Sequence, residues 1–445
     1  MNEQHETWQD EPPAKAGGLS NFDMMHNLPA LLRILGTAAL LIAMYSFLVK
    51  GWQSGNDVFR YMLMLGHTGI LAAVGIASGH WLKESKGARL LLTLALVSVP
   101  VNFAILGALI FSQSFGIDAS HYPHYVAWSV DSLNTALFTS AGAMVLLIPV
   151  TLLGFTVLVR SLSRKLSVLF LLSNVVLLLP IRDPHLIGLF VLALTFISLV
   201  FNYRISQGNI ATRTREGIIA LGLQFLPLGI LMGRSLWLYD LDMFLLTVLA
   251  ITVFYVLRQA SMVLENNSTA QNLLNATSLV PAVIAMPLLS DALLNVLPTL
   301  PVLVIPLAGL FTFAMVYDIA QRSSAYASGY RYIASAILVL GMLLNLNLFT
   351  GLIAALLAIA VGLGLVVLGF QRQQRSVFTS GVVLMLVGMG QQLYELVHHF
   401  DFGSWASLAT LGVISIVIAS TIESQGGKIK PRIDNWKASF KQWEK

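Results

Sequence analysis

The residues best suited to chemistry lie in the stretch "GQQLYELVHHFDFG", positions 390–403. Glu395 and His398 stand at i, i+3, and Glu395 and His399 at i, i+4, spacings that put side chains on one helix face. A Glu-x-x-His pair on a helix is one way to hold a metal ion, and Asp401 follows two residues later. Two further fragments carry the same ligand types: "HYPH", with His121 and His124, and "RDPH", with Asp183 and His185. Imidazole and carboxylate both suit divalent ions. Convergence of the three fragments would build a metal or catalytic centre, for a metal the sequence does not name. The competing reading is that His, Tyr, Glu and Asp sit comfortably where a helix leaves lipid, and the sequence weighs more heavily on that side.

The surroundings decide what such residues could do. Of the 445 residues, 56% are hydrophobic and 11% charged, with mean hydropathy +0.77. A soluble domain carries about 25% charged residues, so most of this chain is expected in lipid. There is no cysteine, which removes disulfides and thiolate metal sites. Phosphate-binding GxxxxGK[ST], HExxH and GxSxG signatures are absent. Nothing implies a cofactor.

A membrane span needs about 20 mainly apolar residues. On that measure the sequence predicts an all-α, polytopic transmembrane helical bundle of about fourteen spans, within a range of 12–14. Their approximate limits are 30–49, 61–82, 90–111, 137–158, 166–181, 185–202, 217–233, 236–257, 273–290, 300–318, 332–349, 351–370, 377–398 and 405–423. Residues 1–29 read as a disordered acidic cytoplasmic tail, 30–423 as the membrane domain and 424–445 as a basic amphipathic cytoplasmic tail helix. With both termini inside and the spans alternating, only Lys50, Arg60, Arg182 and Arg234 of the 26 basic residues fall outside. The positive-inside rule asks for that asymmetry. The same bias explains the net charge of +5 without nucleic acid.

In hydropathy, though not in motif, the chain resembles large multi-span bacterial inner-membrane proteins built from short-looped helical hairpins. The resemblance implies a multi-pass protein of that membrane and carries over no functional residue.

Helix packing and surface contacts are also legible. Gly75 and Gly79 form GxxxG, and Ala354, Ala358 and Gly362 a small-xxx-small ladder. Both read first as internal helix packing. Trp52, Trp128, Trp237 and Trp405 fall near the outer face and read as an aromatic belt. In the tail, Ile433, Trp436, Phe440 and Trp443 share one helical face, with Lys437 and Lys441 opposite. That pattern suits a helix lying on an anionic leaflet, or one docked on a protein partner or on the chain's own loops. The expected partners are therefore the lipid bilayer and a protein reached through the tail or the outer face.

Inside the spans the polar groups are few. His67 is the one ionisable residue well within a span, and no span is predicted to carry a buried Lys or Arg or a carboxylate pair. An intramembrane ionisable group is a functional hypothesis by default, so their scarcity argues against ion coupling. Asn102, Asn345, Asn347 and Gln391 are uncharged polar groups within or near spans. With helix-breaking prolines they could line a polar cavity, or simply hydrogen-bond between helices. Three function classes remain. The sequence favours a transporter- or flippase-like protein for a neutral or lipid-like substrate. A non-catalytic scaffold or accessory subunit of an envelope complex comes second. A membrane enzyme with an outer-face His/Asp site comes third, because short outer loops leave little chain to build an active site. The forecasts differ: a transporter needs a cavity reaching the bilayer midplane, and a scaffold is packed solid there.

Overall fold

In lipid every backbone N–H and C=O must be satisfied within the protein, which leaves helices or closed barrels. This chain takes the helical solution. The computed structural model describes residues 21–49, 56–81, 83, 85–114, 127–206, 209–238, 242–264, 268–323, 325–349 and 351–399, with isolated positions in the last forty residues. Among them there is no strand. Twelve helical segments are long and apolar enough to cross a membrane, and a shorter apolar helix runs through Leu31–Ser46. Thirteen of the fourteen predicted spans thus have a helix. The fourteenth, 405–423, falls almost wholly outside the described residues.

The chain divides into two units, Met1–Val157 and Leu158–Lys445. The first holds α1 (Asn21–Val49), α2 (Asp57–Trp81), α3 (Ser85–Ser114) and α4 (Leu133–Leu158). Helices α2 and α3 form a hairpin. The GxxxG of α2 faces α3: a Cβ at Gly75 would stand 3.0 Å from Leu92, and one at Gly79 3.2 Å from Ala88. Without a hydrophobic force between helices in lipid, such close approach is the main source of association. Asn102 donates to Thr68 Oγ1 at 2.8 Å across the same pair.

The second unit runs α5 (Ser163–Leu178), α6 (Pro184–Ser206), α7 (Arg215–Leu223), α8 (Leu226–Leu238), α9 (Met243–Val263), α10 (Thr269–Val296), α11 (Val304–Arg322), α12 (Ala327–Leu348), α13 (Leu352–Gln371) and α14 (Arg375–His399). Helices α7 and α8 are two pieces of one span, Arg215–Leu238. Side-chain oxygens set several helix starts by taking an orphan backbone N–H: Asp183 from Leu186, Thr214 from Gly217, Asp242 from Leu245 and Ser268 from Gln271. Successive helices pair as hairpins, and α6 packs against α9. The core of the unit gathers Phe254, Ala282, Ala285, Val316, Ala334, Leu338, Ala358 and Leu384.

The α13–α14 hairpin is the closest pairing. Cβ atoms at Gly362 and Gly381 would each run into the facing backbone, at 2.9 Å and 2.6 Å from the other residue's carbonyl oxygen. The Ala354–Ala358–Gly362 ladder is therefore internal. The turn before it needs Gly351, whose φ of +118° is open to few other residues.

Two sequence expectations change here. Trp128 is buried and no belt residue: the Arg60 guanidinium lies 4.1 Å from its ring centroid. Asp57, 3.6 Å from Arg60, accepts from the Ser129 N–H at 2.8 Å, which ties the start of α2 to the segment before α4. Trp237 is exposed, as a belt requires, and Trp52 and Trp405 lie outside the described residues. Secondly, helices do carry buried arginines: Arg60 on α2, Arg258 on α9 and Arg331 on α12. The physical reason is helix length. Capped by Asp242, α9 starts at Met243 and extends to Val263, so Arg258 sits more than a turn inside it.

Candidate functional site

One end of the second unit concentrates charge. Near the end of α9, Arg258 is 2% exposed. Its Nε donates to Asp318 Oδ2 of α11 at 3.1 Å, and one terminal nitrogen donates to Asn275 Oδ1 of α10 at 2.7 Å and to Ser261 Oγ at 3.0 Å. Its other terminal nitrogen reaches the Asp318 carbonyl oxygen at 3.5 Å. Gln271 of α10 donates to the Ser261 carbonyl oxygen at 3.3 Å. A buried arginine is tolerable only when its donors and its charge are matched, and three helices supply the match.

Asp318 has a second client. Arg322, one turn on, donates Nε to Asp318 Oδ1 at 2.8 Å. Its side chain is 46% exposed, and one terminal nitrogen leans on Met262 Sδ at 3.2 Å. The other terminal nitrogen meets no acceptor among the described residues. The clasp thus holds two guanidiniums against one carboxylate, for a net charge of +1.

The clasp stands at the end of a groove. A partly open cavity of about 700 Å³ runs between α6, α9 and α11. Leu192, Phe196, Leu199 and Tyr203 of α6, Ile251 and Tyr255 of α9, and Phe311, Ala314 and Met315 of α11 line it, and Arg258, Asp318 and Arg322 lie on its wall. From Leu192 to Tyr203 is about 16 Å of helix at roughly 1.5 Å per residue. That is about half of a hydrocarbon core of roughly 30 Å. Thr195 Oγ1, on the same wall, is buried without a hydrogen-bond partner among the described residues.

The sequence-predicted residues are placed as follows. Glu395 does not stand free on α14: it accepts the Gly351 N–H at 2.8 Å and Gln391 Nε2 at 3.4 Å, bracing the α12–α13 turn. It also lines a shallow apolar cleft of about 650 Å³ with Leu352, Ile359, Met389 and Gln392. Asp183 caps α6, and the His185 ring packs tilted against Phe244, centroids 5.3 Å apart. His121, His124 and Asp401 lie outside the described residues, as do the side chains of His398 and His399, which close α14. Among the described residues no three His, Asp or Glu side chains gather as metal ligands.

Of the intramembrane polar residues, His67 is half-buried on α2, Asn347 is exposed, and Asn102 and Asn345 are fully buried. None of them lines the groove. Asn102 serves helix pairing, whereas both amide atoms of Asn345 lack a partner among the described residues. In the tail, Phe440 and Trp443 pack on the chain itself: Trp443 meets Phe370 and Phe378 at 5.5 and 5.6 Å, and the Phe440 carbonyl oxygen accepts from Arg375 Nε at 2.8 Å. Ile433, Trp436, Lys437 and Lys441 lie outside the described residues.

Arg258 was missed because a span was ended where the charge began. The signal was there: "RQASMV" continues with Met262 and Val263, and Asp318 and Arg322 stand at i, i+4. No protein-family model, curated protein or solved structure matches the chain significantly.

Proposed function

We propose that the chain is a multi-pass membrane protein that draws single lipid-like molecules sideways out of one leaflet, as a transporter- or flippase-like protein does. The observation that carries this reading is the groove between α6, α9 and α11. It is apolar, partly open, and about one leaflet long. Its volume falls within the ordinary range for small-molecule sites. A scaffold packed solid at mid-height would have no such cavity. On this reading the membrane is a bacterial inner membrane and the clasp end faces the cytoplasm, which the charge bias of the loops favours. The carboxylate on the groove wall, Asp318, is held by two guanidiniums, which favours movement without ion coupling.

The test is transbilayer movement of fluorescent phospholipid in vesicles holding the full-length protein. Movement should exceed that of protein-free vesicles and fall when Ala314→Trp fills the groove. Equal movement in protein-containing and empty vesicles would refute transport and favour the accessory-subunit reading.

A further inference from the structure

Resting on the groove reading, we infer that the clasp selects the occupant's headgroup: a phospholipid of the surrounding leaflet with one net negative charge. The groove supplies an apolar trough but no discrimination, because all membrane phospholipids have similar chains. Discrimination must come from its charged end. There the exposed Arg322 has one terminal nitrogen without an acceptor among the described residues, and its Nε is held by a half-solvated carboxylate. Ion pairs so exposed are worth about 1 kcal/mol or less, so a phosphate oxygen competes for the same guanidinium. Arginine binds phosphate through two parallel N–H donors.

Arg258 plays a different part. It is pinned by Asp318, Asn275 and Ser261 and has no freedom to reach outward. Its charge cancels that of Asp318, and its bonds hold Asp318 at the groove wall. The net +1 then matches a phosphodiester carrying one negative charge. A zwitterionic headgroup brings a cation to a site with no spare carboxylate among the described residues, and a dianionic phosphate is opposed by Asp318. The juxtaposition of the Arg258–Asp318–Arg322 clasp with a one-leaflet trough therefore specifies a mono-anionic phospholipid.

The experiment uses the full-length chain in phosphatidylcholine nanodiscs. They carry traces of photoactivatable phosphatidylglycerol or phosphatidylcholine with identical diazirine-bearing chains. Crosslinked peptides of α6, α9 and α11 are quantified by mass spectrometry. Phosphatidylglycerol should label them about tenfold more, the ratio one charge-assisted hydrogen bond supports. The preference should fall towards unity in Arg322→Gln and in about 1 M salt, where the Debye length is about 3 Å. It should survive in part in Arg322→Lys. Because the salt arm uses the wild-type chain, misfolding of a variant leaves the question open to measurement. Equal groove labelling by both lipids overturns the headgroup inference and leaves the groove reading standing. So does a preference that persists in Arg322→Gln. Absence of groove labelling by either lipid overturns both.

Discussion

Asp318→Asn isolates the electrostatic cost of the clasp, because asparagine keeps the shape and removes the charge. In the native chain the two carboxylate oxygens each receive one guanidinium, from Arg258 and from Arg322. Asparagine keeps one oxygen and turns an NH2 group towards the other guanidinium. Arg258 is 2% exposed, so water does not replace the lost partner. Leaving a buried charge without its counter-ion costs about 3–5 kcal/mol. Arg258 retains Asn275, Ser261 and the 318 carbonyl oxygen, which places the expectation at the lower end, about 3 kcal/mol. The Arg322 share adds less than about 1 kcal/mol, because that pair is solvated. The assay is equilibrium unfolding in mixed micelles, run as a double-mutant cycle with Arg258→Met and Asp318→Leu. The double variant should be more stable than Asp318→Asn alone, since removing both charges of a buried pair is often neutral. A loss below about 0.5 kcal/mol for Asp318→Asn, the range of ordinary surface changes, would refute the reasoning. Strict additivity of the cycle would do the same.

Other outcomes follow from the packing. Gly381→Ala should destabilise by at least about 1–3 kcal/mol in thermal unfolding, since its Cβ meets the Gly362 carbonyl oxygen and the Val366 nitrogen, both at 2.6 Å. Gly142→Ala, with nothing within 4 Å, should be neutral or slightly stabilising. Trp443→Ala should release the tail from Phe370 and Phe378, read as faster tryptic cleavage at Lys437 and Lys441 with the global unfolding midpoint little changed. Across α2 and α3, an Asn102→Leu and Thr68→Val cycle should return a coupling of about 0.6 kcal/mol, the average for interhelical hydrogen bonds in membrane proteins.

The helical class and the run of most helices were largely readable because they rest on strong signals. Runs of apolar residues exceed any competing pattern, and glycines such as Gly75 and Gly362 mark contact faces by their spacing. The site was less readable, for two reasons. Span-finding penalises charge, so Arg258 was read as a loop residue although its helix runs on through Val263. A groove, moreover, is a relation between helices distant in sequence: nothing local to Leu192, Ile251 or Phe311 reveals that they face one another. The Glu395 ladder shows the converse. Its spacing had the look of a ligand set, but a carboxylate one helix away from the Gly351 N–H has a backbone group to satisfy, which no single-helix pattern displays.

The glycine-lined hairpin of α13 and α14 also bears on how the chain enters the bilayer. Of the twelve membrane-length helices, α13 is the most apolar, whereas α14, with Gln391, Gln392 and Glu395 near its end, is among the least. Taken singly, α14 is a weak candidate for partitioning into lipid. Its backbone meets that of α13 with no side chain between them at Gly362 and Gly381. The pair therefore has a reason to leave the insertion machinery together, the strongly apolar helix carrying the weaker one. A substitution that separates them would first appear as failed insertion of α14, before any loss of the folded protein's activity.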